Sequence, residues 1–240
     1  MMWLWIVASL VAYYIKGLCG FANSLIFSSI LGFGVDNVHI SPVELILSYP
    51  ANIIMAYKNR EKLNVKVYMP LAILVLVGSI PGAFVLKIAD VRSLKVFFGV
   101  VVILMGIEMY LRNSHKLQFK ESKVVMAIIG IICGLLCGLF SVGALLSAYV
   151  SRVTKSTDEF KADINAVFVI ENTFRIITYI ALGLITIQSL KTSIILFPFM
   201  LLAMFLGMVS SKHIKDNIIQ KMVVALLIIS GVVLIANNIR

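Results

Sequence analysis

The stretch "GLCGFANSLIFSS" at residues 17–29 returns as "GLFSVGALLSAYV" at 138–150, with Gly17 opposite Gly138 and Ala22 opposite Gly143. Each copy sits in an apolar run, 2–33 for the first and 124–150 for the second. A second pair follows the same order: "KVYMPLAILVLVGSIPGAFVLK" at 66–87 and "KTSIILFPFMLLAMFLGMVSSK" at 191–212, with Gly82 opposite Gly207 and Lys87 opposite Lys212. One membrane unit written twice is the plan of many secondary transporters, in which two copies enclose a single site near the bilayer midplane.

Composition points the same way. With 61% hydrophobic and 13% charged residues, the chain is outside the range of ordinary soluble domains, where about a quarter of residues are charged. It reads as a multi-pass protein of the cell membrane, with the lipid bilayer as its surroundings. The formal charge of +10 lies largely in short loops between apolar runs, where it sets orientation, so nucleic acid is not an expected partner. The opening "MMWLWIVASLVAYYIKG" has no basic residue ahead of its apolar run and reads as mature structure rather than a signal peptide. Cys19, Cys133 and Cys137 all fall in apolar segments, an odd number suited to packed helix contacts rather than to a disulfide framework.

Eight apolar regions emerge, at 2–33, 42–57, 67–87, 94–111, 124–150, 164–184, 192–211 and 218–238. Six have about the length of a single span; the first and fifth are too long and are broken by glycine. Each broken region can be a kinked span or a hairpin with arms of about 15 residues, roughly 22 Å each. Positive charge separates the two. If both are hairpins, the loops 58–66, 112–123, 151–163 and 212–221 share one side and hold 14 Lys and Arg, against 5 opposite. If both cross, the two sides hold 10 and 9. The positive-inside rule selects hairpins, with both termini on the non-cytoplasmic side. Each half then crosses an odd number of times, so the second copy is upside down relative to the first. The expected fold is all-α: two inverted repeats, 1–111 and 124–240, joined by a cytoplasmic linker at 112–123, each repeat a broken helical hairpin plus three transmembrane helices.

Few residues can carry chemistry inside such a bundle. A hairpin tip in lipid needs its backbone satisfied by protein or a wet cavity, and a helix starting just after the tip aims N–H groups that favour an anion. Asn23, Ser24 and Ser141 add donors. Arg175, midway along 164–184, carries an insertion cost of about 2.5–3.5 kcal/mol that something must offset. Glu171 precedes it by one turn, in the favourable acid-before-base order. The two read either as a structural ion pair or as a gate in which Glu171 competes with an anionic substrate for Arg175. Asn172 is a neighbouring hydrogen-bonding group, and Asn52 stands at the roughly equivalent point of the first half. Lys16 reads equally as a second cationic site residue or as an anchor that snorkels to the interface. Glu44 and Glu108, near segment ends, and His39, His115 and His213, in loops, read as solvated or interfacial. No catalytic signature such as HExxH or GxSxG occurs, so an enzyme is not expected.

"IKGLCGFANSLIFSSIL" near the start and "CGLLCGLFSVGALLSAY" at the midpoint resemble the paired glycine-rich motifs of the sulfite exporter TauE/SafE family of membrane permeases. "GSIPGAFVLK" and "LGMVSSK" look like that family's repeated second motif. The resemblance runs over nearly the whole chain. It implies bacterial-type inner-membrane transport of small sulfur-containing or organic anions such as sulfite or sulfonates, by alternating access and coupled to an ion gradient. Carried over by position, the first motif's glycines fall on Gly17 and Gly20 and its aromatic on Phe21; the second motif's glycines fall on Gly134, Gly138 and Gly143. Ala22, Asn23, Ser141 and Ala144 occupy places often held by glycine, and the prolines usual after each tip are absent.

The resulting expectation is an anion permease whose substrate meets Lys16, Gly20, Phe21, Ala22, Asn23, Ser24, Ser141, Val142, Gly143, Asn172 and Arg175, with Glu171 and Asn52 in coupling or gating. No cofactor or metal is expected, and a homo-oligomer is possible. The rival readings are a cation or neutral-solute permease using Glu171 and Glu44, and a non-transporting membrane subunit.

Overall fold

The computed structural model describes residues 2–32, 34–88 and 156–211 continuously, and scattered positions between 90 and 154 and between 213 and 236. Every regular element among the described residues is helical. The continuous parts form α1 (Met2–Cys19), α2 (Asn23–Leu31), α3 (Asn37–Lys58), a 3-10 turn (Arg60–Lys62), α4 (Val65–Ile88), α5 (Thr157–Ala181) and α6 (Ile187–Ser210). Among the described residues four helices are long and apolar enough to cross a membrane: Met2–Cys19, Val65–Val85, Asp158–Ala181 and Ile187–Ser210.

The first long run is a hairpin. Phe27 of α2 meets Trp5 and Tyr13 of α1 edge-on, with ring centroids 5.9 and 6.5 Å apart. At 1.5 Å per residue, a helix continuing straight past Cys19 would carry Phe27 more than about 30 Å from Trp5, so the chain has reversed. The arms are unequal, 18 residues against 9, where the sequence suggests about 15 each. The reversal uses two left-handed residues, Gly20 at φ 87° and Ala22 at φ 70°; only glycine takes this conformation without a steric penalty. Asn165 Nδ2 of α5 donates to the Gly20 carbonyl at 3.0 Å, and Phe21 packs edge-on against Phe160 at 5.7 Å. The second motif, from Cys137 through Ser141, Val142 and Gly143 to Ala144, lies outside the described residues, as do Cys133, Glu108 and His115.

The bundle is apolar outside and partly polar inside. On α4 the exposed side chains Met69, Ile73, Val77, Ile80 and Phe84 recur every three or four residues and form a lipid-facing stripe. On α3 the corresponding buried stripe is polar: Ser41, Glu44, Ser48 and Asn52 are all buried. That stripe lowers the hydropathy of α3, whose large exposed hydrophobic side chains, Ile53 and Tyr57, lie in its last two turns. Pro50 lies within the helix and leaves the Ile46 carbonyl without its helical donor.

Among the described residues three glycine pairs mark helix crossings. A Cβ on Gly17 would lie 2.3 Å from the Met204 carbonyl oxygen, and one on Gly207 would lie 2.1 Å from that of Tyr14, so α1 and α6 touch backbone to backbone. Gly78 of α4 and Gly134 make the same kind of contact, a Cβ on either falling 2.1 Å from a carbonyl oxygen, of Ile131 or Val75. Gly99 and Gly231 form the third crossing, with reciprocal contacts to Ile235 and Ile103. Small residues at such points let membrane helices approach closely. Gly134 and Gly78 each lie four residues before the motif glycines Gly138 and Gly82.

Candidate functional site

Two cavities lie at opposite ends of the bundle. The first, about 460 Å³, is lined by Met2 and Trp5 at the start of α1, His39 at the start of α3, and Thr186, Gln188 and Thr192 around the start of α6. The second, about 340 Å³, is lined by Gly17 at the end of α1, Met55 and Lys58 at the end of α3, Asp158 and Lys161 at the start of α5, and Met208 at the end of α6. Thus α1, α3 and α6 run from the first cavity towards the second, while α5 starts at the second. On α3, the layer that closes the bundle extends from Val43 at one cavity to Met55 at the other, about 18 Å.

Within that layer the polar stripe of α3 joins a chain of hydrogen bonds. Lys16 Nζ donates to Asn52 Oδ1 at 2.6 Å and to Asn23 Oδ1 at 3.2 Å. Asn23 Nδ2 and Ser24 Oγ both donate to Glu44 Oε1, at 2.9 and 2.6 Å. Asn52 Nδ2 and Asn172 Nδ2 converge on Ser48 Oγ at 3.3 and 3.1 Å. Arg175 Nη2 donates to Asn172 Oδ1 at 2.7 Å, and Arg175 Nε lies 3.3 Å from Glu171 Oε1. That last contact has ion-pair distance but lacks hydrogen-bond alignment, and neither Glu171 oxygen has a hydrogen-bond partner among the described residues. The guanidinium also stands 5.9 Å from the Tyr179 ring. One continuous network therefore links the first hairpin, α3 and α5.

The burial of this network is its decisive property. Lys16, Glu44 and Glu171 are 0% exposed and Arg175 is 3% exposed. Two cations and two carboxylates balance, which is the condition for keeping such groups away from water. Lys16 is therefore a network residue rather than an interfacial anchor, because its ammonium points inward to two asparagines. Glu44 corrects the sequence reading as well. Its place near the start of α3 suggests a solvated or interfacial carboxylate, but the polar stripe turns it inward, where the tip donors Asn23 and Ser24 hold it. His39 likewise belongs to the first turn of α3 rather than to a loop, although it is not buried.

The expected site residues among the described residues divide into two groups. Lys16, Asn23, Ser24, Asn52, Glu171, Asn172 and Arg175 come together in the network. Gly20, Phe21 and Ala22 instead build the tip and dock it on α5. Ser48, the bridge between the two halves of the network, is not among the residues expected from sequence. Its signal is the spacing Ser41, Glu44, Ser48, Asn52, which places four polar side chains on one face of a helix.

The family model described as "Sulfite exporter TauE/SafE" matches residues 5–234. The chain belongs to the sulfite exporter TauE/SafE family. Membership makes it a transporter by family, consistent with its apolar helices and with the absence of catalytic signatures in the sequence. Comparison with curated proteins and with solved structures gives no match. In this TauE/SafE member, the cations Lys16 and Arg175 stand between the two cavities, and each has a carboxylate close by.

Proposed function

We propose that the protein is a secondary transporter for small organic or sulfur oxyanions, working by alternating access across the layer that contains Lys16 and Arg175. The observation that carries this reading is the burial of two cations between cavities that open at opposite ends. A buried charge of this kind in a membrane bundle marks a substrate or ion pathway by default. Glu44 and Glu171 hold the place of the anion in the closed arrangement. Glu171 is the easier to displace, because its carboxylate is held by charge alone and makes no hydrogen bond among the described residues. Protonating Glu171 would free Arg175 for substrate and couple transport to a proton gradient.

Helix directions support an inverted relation between repeats 1–111 and 124–240. In the repeat alignment α3 corresponds to α5 and α4 to α6. α3 runs from the first cavity to the second and α5 returns; α4 starts beside Asp163 near the base of α5, whose Oδ1 accepts from Asn64 N–H at 2.8 Å, and α6 runs the other way. Exchanging the repeats also turns the Gly17–Gly207 crossing into the Gly78–Gly134 crossing and leaves Gly99–Gly231 in place, as a two-fold requires. The charge count puts the second cavity on the cytoplasmic side and both termini on the other.

The test is flux in proteoliposomes with labelled sulfite, alkanesulfonates and short carboxylates, alongside sodium, potassium and neutral solutes. Saturable anion flux driven by a proton gradient is the expected result. Flux that saturates with a cation and ignores anions would move the reading to Glu44 and Glu171 as cation ligands.

A further inference from the structure

The 460 Å³ cavity contains more than a passage requires. Its volume lies in the lower part of the roughly 300–1,000 Å³ range of small-molecule pockets and far exceeds what one inorganic oxyanion fills. One wall is apolar, built by Trp5, Val43 and Leu184. The other is made of donors. Thr192 is 6% exposed, lines the cavity, and its hydroxyl has no hydrogen-bond partner among the described residues. Gln188 and His39 line the same wall.

The surrounding helices reinforce the polarity of that wall. α3 and α6, of 22 and 24 residues, both begin at this cavity, so their positive dipole ends face it. The Asp36 side chain makes no capping hydrogen bond to α3. Asp36, the one acidic residue among the described lining residues, is engaged in an interaction of its own. At the second cavity α1, α3 and α6 end and α5 begins, and Lys58 and Lys161 stand beside the carbonyl ends. No lysine or arginine stands among the described lining residues, so the amino-terminal ends of α3 and α6 supply the positive polarity of the first cavity, partly offset by the carboxyl-terminal end of α5 three residues before Leu184.

We infer that this cavity is an outer binding site for an organic oxyanion, with the oxyanion on Thr192 and its neighbouring donors and the apolar body against Trp5, Val43 and Leu184. The inference rests on the anion-permease reading for its place on the route, and it is separable from that reading by experiment. Trp3 and Trp5 are the two tryptophans of the chain, so Trp3→Phe leaves Trp5 as a single reporter inside the cavity. In that background, with Glu171→Gln and Arg175→Met disabling the central network, Trp5 emission is titrated with butanesulfonate in nanodiscs of zwitterionic lipid.

A saturable change is expected, weakened about tenfold by Thr192→Val and restored by Thr192→Ser. Sulfite is expected to bind at least about tenfold more weakly, because it lacks the apolar body. A response that disappears when the central network is disabled would show that Trp5 merely reports the inner site, and would overturn the inference. An equal response to 1-butanol, or an unchanged titration in Thr192→Val, would also overturn it, leaving an apolar vestibule that any lipid or solvent chain can enter. Failure of the central reading shows elsewhere, as normal flux in an Arg175 variant.

Discussion

Replacing Arg175 by alanine abolishes anion flux, by at least about 100-fold, and also destabilises the protein. Two effects are mixed in that single variant. The first is loss of the guanidinium that would meet the anion; truncating one partner of a buried, hydrogen-bonded charge pair costs about 2–5 kcal/mol of binding. The second is that Glu171, 0% exposed, is left without its counter-charge, which costs about 3–5 kcal/mol of stability. The double variant Glu171→Gln/Arg175→Met separates them. It removes both charges at similar volume, so thermal unfolding in detergent returns to within a few degrees of the parent while flux stays lost. If the double variant transports normally, Arg175 and Glu171 are a folding pair and the anion does not meet them. Asn172 is the internal control, since it ties Arg175 to Ser48, at 2.7 and 3.1 Å, without carrying charge.

The second large effect falls on packing. Gly17→Val or Gly207→Val drives a side chain into the facing backbone, where an added Cβ would already meet a carbonyl oxygen at 2.3 or 2.1 Å. Neither atom belongs to a flexible side chain that could swing away, so the helices must separate. Overpacking of well-packed contacts costs about 1–3 kcal/mol, and collision with backbone places these variants at or above the upper end. The expected outcome is little folded protein in the membrane fraction and a clearly lowered unfolding midpoint. Gly34→Ala is the comparison, since a Cβ there meets nothing within 4 Å, and it should change stability by less than about 0.5 kcal/mol.

These two predictions also mark what can and cannot be read from the residues. The membrane class, the broken first run and the pairing of Glu171 with Arg175 follow from composition, glycine placement and the 3.6-residue period, all of which are local. The inward turn of Glu44 is not local. Position near the start of a segment suggests water, but the depth of α3 is set by how far the short α2 arm returns. After a nine-residue arm the start of α3 lies beside the first cavity, with Glu44 turned into the bundle. Lys16 is equally ambiguous in the sequence, since only the meeting of Asn23 and Asn52 shows where its ammonium points.

The most direct test of the central claim uses Ser48, the hydroxyl on which the two halves of the network converge. Ser48→Cys, in a chain whose Cys19, Cys133 and Cys137 are replaced by serine, is exposed in vesicles to a membrane-impermeant thiol reagent added from one side or the other. Alternating access through this layer predicts that the introduced thiol is modified from either side, and that a transported oxyanion slows modification from both. Modification from one side alone, at a rate indifferent to the anion, would contradict it.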